Sequence, residues 1–200
     1  LKNNNSRAGA VSIYTVAFGL FIATLVLFLG MYFFGMNTEY FSNSLLVNAF
    51  VMPAVYLVGA FISVNSYKKV TGPMGFREVF GRAFKPMFLG GIMSILFIFA
   101  FLNYADPAAK DLLNYQYIER QKSELDAEYK KAREFMKDPA EIKELDQNYE
   151  ARKKSFAPEL VKDKNMFSFR QFTYYFGAIM IFYVILSTFF ASFFRSRTMI

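Results

Sequence analysis

Three groups of residues have types and spacings that could do chemistry. Fourteen of the chain's 16 carboxylates stand between positions 105 and 170, and paired carboxylates can act as general acid and base or hold a divalent ion. Arg77, Arg82 and Lys85 form a short basic cluster. It could grip a phosphate or an anionic lipid headgroup, each base near a membrane surface contributing about 1 kcal/mol. Asp106 is the most suggestive single acid, set directly before Pro107 at the end of an apolar run. The chain has no Cys and no His, so thiolate and imidazole nucleophile systems and the usual metal sites made from them are absent.

Each group also has a plainer explanation. The carboxylates alternate with 14 of the 23 Lys and Arg, which leaves the segment formally neutral and reads as the solvated faces of helices, without a dense acidic triad. Asp106-Pro107 is what a helix start needs: a capping side chain, then a residue whose missing N–H would have no partner anyway. The basic cluster suffices to orient and anchor a loop, and Glu78 lies four residues before Arg82, the spacing of an ordinary helical ion pair. No catalytic constellation emerges. A protein that is not an enzyme, with no metal site and no cofactor, is expected.

The elements that must position these residues are apolar helices. The chain is 54% hydrophobic with 26 Phe, and the apolar residues are gathered into blocks. Residues 11–35, 45–66, 86–103 and 172–194 carry no charge, and about 20 apolar residues cross a bilayer as a helix. These are read as transmembrane helices one to four. Pro53 should kink the second, because it removes a backbone donor and crowds the turn before it. Between spans two and three, Phe76, Phe80 and Phe84 recur every fourth residue with the bases among them. That pattern predicts a separate amphipathic helix over 76–85 lying in the cytoplasmic interface, with Pro86 opening the third span. Small residues at Gly19/Ala23, Gly59/Ser63 and Gly90/Ser94 are spaced for close helix packing.

Residues 105–170 carry two helix-start signals, Asp106-Pro107 and Asp138-Pro139-Ala140-Glu141. Leu112, Tyr115, Ile118, Leu125, Tyr129, Ala132 and Met136 approximate one stripe, with Asp126–Lys130 and Lys130–Glu134 spaced as i,i+4 pairs. Pro158 and the cluster Lys162-Asp163-Lys164-Asn165 close the segment. A helical hairpin follows, with arms roughly 25–40 Å long at 1.5 Å per residue. The fold class is therefore an all-α membrane protein, four transmembrane helices with an extracytoplasmic helical hairpin between spans three and four.

Charge fixes an expected orientation. Lys2, Arg7, Lys68, Lys69, Arg77, Arg82, Lys85, Arg195 and Arg197 flank one set of span ends, and the short loop before span two has no base. The positive-inside rule puts the termini and the 67–85 loop in the cytoplasm and the hairpin outside, which is the periplasm if the membrane is a bacterial inner membrane. Outside the hairpin the net charge is +7, and its placement at span ends argues against nucleic acid as a partner. No cleavable leader pattern precedes the first span, so that span is expected to be retained.

Gly75-Phe76 with Phe80 and Ala83-Phe84-Lys85 before the third span, Asp106-Pro107 after it, the acidic-basic hairpin and a last apolar span with a basic end carry a resemblance. Over roughly residues 11–197 the chain resembles a small inner-membrane family of Bacteroidota, domain of unknown function 4199. The resemblance implies four spans and no assigned activity. Members are often encoded near a membrane-associated glycosyltransferase, which implies work at the cell envelope.

The expected role is a non-catalytic accessory or scaffold subunit of a cell-envelope membrane complex, docking another inner-membrane or periplasmic protein through the hairpin or the Phe-rich spans. Membrane lipids are expected partners, and a homo-oligomer is compatible with the reading. The alternative is a lipid-handling or glycosyltransferase-associated factor that binds an anionic or phosphorylated lipid at Arg77, Arg82 and Lys85. Ion-coupled transport is disfavoured, because Asp, Glu, Lys, Arg and His are absent from all four spans. A small pore or carrier would require a water-filled cavity between the spans.

Overall fold

A computed structural model describes residues 9–157, 160 and 165–196. Lys2, Arg7, Pro158, Lys162, Asp163, Lys164 and Arg197, which enter the sequence reading, lie outside the described residues. Among the described residues every regular element is helical. Four helices are long and apolar enough to span a membrane: α1 (Ile13–Gly35), α2 (Tyr40–Thr71), α3 (Phe76–Ala105) and, last in the chain, α6 (Phe169–Phe194). Between α3 and α6 lie the hairpin arms α4 (Pro107–Phe135) and α5 (Pro139–Lys154).

The helix ends follow local chemistry. Ser12 and Ser168 cap α1 and α6 through their hydroxyls, each satisfying one of the orphan amides of the first turn. Lys68 and Lys69 lie in the last turn of α2, where cations suit the helix dipole. Gly72 ends that helix at φ +78°, a backbone setting that glycine reaches without strain.

Both prolines inside the spans are accommodated. Pro53 follows a π-turn at Val47–Val51, so the expected disturbance takes the form of a widened turn within a continuous helix. The expected break at Pro86 is corrected. Phe76–Ala100 is one uninterrupted α-helix with Pro86 inside it. Pro86 cannot donate to the carbonyl of Arg82, one turn earlier. The Ser63 hydroxyl of α2 donates to that carbonyl instead, at 2.7 Å. A neighbouring helix thus satisfies the group that proline frees, as happens where helices pack in membranes. Residues 76–85 are consequently the first turns of the third spanning helix and not a separate interfacial element. Their ring stripe is also longer than expected: Phe76, Phe80, Phe84 and Phe88 stack in series at 5.6–6.4 Å.

Helix α3 is the hub of the bundle. A side chain at Gly90 would meet the Ala17 carbonyl oxygen of α1 at 2.8 Å, and one at Gly91 would meet the Tyr183 hydroxyl of α6 at 2.6 Å. Val79, Ala83 and Met87 of α3 are fully buried in the same core as Leu20, Tyr56, Val64 and Phe190. Only 17–28% of the most apolar stretch of each spanning helix is buried. The remaining faces, with Phe34, Phe50 and Phe193 outward, are solvated by lipid in a bilayer.

A second small core of Tyr40, Leu102, Ala109 and Leu113 joins the hairpin to the spans. Helix α3 ends in a π-turn at Phe101–Ala105, closed by Asp106 N–H donating to the Phe101 carbonyl at 2.9 Å. The chain then restarts as α4, whose 29 residues span about 43 Å against about 24 Å for the 16 of α5. The hairpin stripe is partly as expected, with Ile118 and Leu125 buried, but Leu113 is buried more deeply than Leu112 and Tyr115 is exposed.

Candidate functional site

Two features on the hairpin side of the bundle could carry function: the joint that fixes the hairpin, and a groove beneath it. The joint is built from polar side chains at the span ends. Asp106 caps α4 by accepting from the Ala108 and Ala109 amides at 3.1 and 3.2 Å. The Tyr32 hydroxyl of α1 donates to the same carboxylate at 2.7 Å. That hydroxyl, with the Ala109 and Ala108 amides, holds Asp106 below the ordinary carboxylate value despite some desolvation. Gln116 accepts from Phe41 N–H and donates to the Asn37 carbonyl, both at 2.8 Å, clasping the loop before α2. Asn114 accepts from Met166 N–H at 3.2 Å, tying α4 to the entry of α6.

Further along, the two arms are locked by reciprocal Tyr–Asp pairs. Tyr129 of α4 donates to Asp146 of α5 at 2.8 Å, and Tyr149 of α5 donates to Asp126 of α4 at 2.7 Å. The two rings stack between these bonds with centroids 4.1 Å apart. Arg133 adds a 2.6 Å ion pair to Asp146, and Arg152 a longer one to Glu128. The Tyr129 hydroxyl, then the Arg133 guanidinium, keep the Asp146 carboxyl below its usual range. The expected Asp126–Lys130 and Lys130–Glu134 pairs are not the ones formed. Asp126 is turned across the hairpin, and the pairs along α4 are Arg120–Glu124 and Glu119–Lys122. Among the described residues no group of three or more carboxylates stands close enough to hold a metal ion.

The groove is a cavity of about 740 Å³ bounded by α1, α2, α3, α4 and α6. Its floor lies midway along the apolar helices, where Tyr56 and Tyr183 stack at 5.2 Å and the Tyr56 hydroxyl meets that of Thr24 at 3.3 Å. Its walls are mostly apolar, with Leu27, Met52, Ile95, Ile179 and Phe182 among them and Ser44, Asn48 and Tyr175 between, and Arg120, Gln121 and Glu124 of α4 stand at its roof.

The residues singled out in the sequence are placed as follows. Gly59 faces Leu20 of α1, whose side-chain atoms lie 2.6–3.0 Å from where a Cβ would be, and Gly90 faces the α1 backbone. Ser63 donates to the Arg82 carbonyl, and Ser94 donates back to Gly90 within its own helix. Arg77, Arg82 and Lys85 all stand on the first turns of α3. Arg77 and Lys85 are exposed and about 12 Å apart along one helix. Arg82 lies over the Tyr67 ring at 3.7 Å and donates to the Val11 carbonyl at 3.3 Å. The Glu78 carboxylate accepts from Gly75 N–H at 3.1 Å and caps the helix start.

Sequence reasoning did not single out Gln116, Arg120, Tyr56 or Tyr183. A signal for the last two exists, since Tyr gathers at membrane interfaces and both stand mid-span. No curated protein and no solved structure matches the chain. Residues 14–196 match the family model described as protein of unknown function DUF4199, nearly the whole chain. With its four apolar spanning helices and all-helical build, the protein belongs to the DUF4199 family.

Proposed function

We propose that this DUF4199 protein is a non-catalytic accessory subunit, a scaffold whose hairpin docks another protein of the cell envelope. The observation that carries the reading is the double fixing of the hairpin. Its base is tied to two spans through Asp106 and Gln116 and to the chain entering a third through Asn114, and its arms are tied to each other through Tyr129–Asp146 and Tyr149–Asp126. A surface ordered before a partner arrives loses less entropy on binding. At the hairpin turn Phe135 is 83% exposed, an aromatic anchor of the type that dominates interface energetics. The location proposed with it is a bacterial inner membrane, termini in the cytoplasm and residues 105–170 in the periplasm.

The test is site-specific photo-crosslinking in the native host, with a benzophenone amino acid at Phe135 and at Tyr14, an exposed residue at the other end of the bundle. A discrete adduct at 135 that is absent at 14 supports the scaffold. Adducts to lipid alone at both positions overturn it.

A further inference from the structure

The groove beneath the hairpin is not used by the docking reading, and its chemistry points to a ligand of its own. Helices α2 and α6 touch at its floor, through Tyr56 and Tyr183, and again beyond it, where Phe61 meets Phe194 at 6.0 Å. Towards the hairpin the same two helices become opposite walls of the cavity. The π-turn and Pro53 lie in the α2 wall, so the widened part of that helix is the part that lines the groove. A volume of about 740 Å³ falls within the roughly 300–1,000 Å³ of small-molecule sites.

What fills it follows from the surroundings. An unfilled groove of this size would forfeit dispersion contacts along its whole lining, and water finds few partners against Leu27, Met52, Ile95 and Phe182. A hydrocarbon chain needs none, and the bilayer around the spans supplies it. The roof then sets the headgroup. Arg120 and Glu124 form a half-exposed pair at 2.8 Å, and the Gln121 amide donates to the other Glu124 oxygen at 3.3 Å. One guanidinium nitrogen is committed to Glu124, leaving a planar fork of the kind that binds phosphate. The roof presents both signs side by side, which complements a zwitterion better than a purely anionic headgroup.

We propose that the groove seats one acyl chain of a phospholipid from the hairpin-side leaflet, with its phosphate at Arg120 and a primary amine at Glu124. The hairpin then roofs a lipid as well as carrying a docking surface. The two readings stand on different residues and can fail separately.

The chain contains no Trp, so single reporters can be placed without background. Phe182→Trp puts one in the groove wall, and Phe34→Trp puts one on an open face of α1 that is 90% exposed. Full-length protein in mild detergent is titrated with phosphatidylethanolamine carrying brominated acyl chains. Quenching at 182 should saturate near one lipid per chain, while quenching at 34 should rise only with excess lipid. Arg120→Gln should weaken the saturable phase about tenfold, the loss of one charge-assisted bond. Ala178→Trp, which fills the groove from an exposed wall position, should abolish the one phospholipid retained in native mass spectra. Parallel quenching at 34 and 182, or a phospholipid retained in a folded Ala178→Trp protein, would overturn the site. Equal affinity for brominated phosphatidylglycerol would overturn the amine contact at Glu124.

Discussion

At the scale of single residues, the clearest lesson is how one hydroxyl changes the meaning of a proline. Ser63 is fully buried and donates to the carbonyl that Pro86 leaves without its helical partner. Ser63→Ala is expected to cost about 1–3 kcal/mol, the penalty of a buried acceptor left unsatisfied. In a Pro86→Ala background residue 86 regains its N–H, and the cost of Ser63→Ala should shrink. A double-mutant cycle by reversible unfolding in mixed micelles measures this, and additive costs would refute the pairing. Glycine positions make a second residue-scale contrast. Gly90→Val must push against the α1 backbone and is expected to cost about 1–3 kcal/mol. Gly177→Ala meets open space and should change stability little. The small-residue spacing was visible in the sequence, but Gly59 and Gly177 look alike until a neighbouring helix is known to lie over one of them.

At the scale of elements, the hairpin was legible because its start signals are local. Asp106-Pro107 and Asp138-Pro139 each place a capping carboxylate before a proline, and both cap as the residue types dictate. Which charges pair across the arms was not legible, since it depends on the register of α4 against α5. That register sets Tyr129 on Tyr149 and sends Asp126 and Asp146 across the gap. A pH dependence follows. Asp146 has its folded-state pKa depressed below the ordinary 3.8. The stability it contributes is therefore fully present above the unfolded value and lost as pH falls through the lower folded one. Amide exchange in α5 is expected to accelerate below about pH 4. In Asp146→Asn the arms should be looser at neutral pH and this acid step smaller. An unchanged acid profile in that variant would remove Asp146 as its source.

At the scale of the whole molecule, orientation is the prediction on which the assigned sides depend. Because the chain contains no Cys, Lys69→Cys and Glu128→Cys each give one labelling site, and both positions are exposed. An impermeant maleimide applied to intact spheroplasts is expected to reach 128 and spare 69 until the membrane is opened. Reversed accessibility would exchange the two sides and place the hairpin in the cytoplasm. The sequence by itself determined the spanning helices and the hairpin between the third and fourth, because hydrocarbon thickness and capping act on consecutive residues. Only the tertiary structure decided that residues 76–85 belong to the third span, that Arg82 turns onto Tyr67, and that a groove lies under the hairpin. Each of these rests on a contact between distant parts of the chain: Ser63 with Arg82, Arg82 with Tyr67, Tyr56 with Tyr183. Such contacts are set by how helices cross, which no local run of residues specifies.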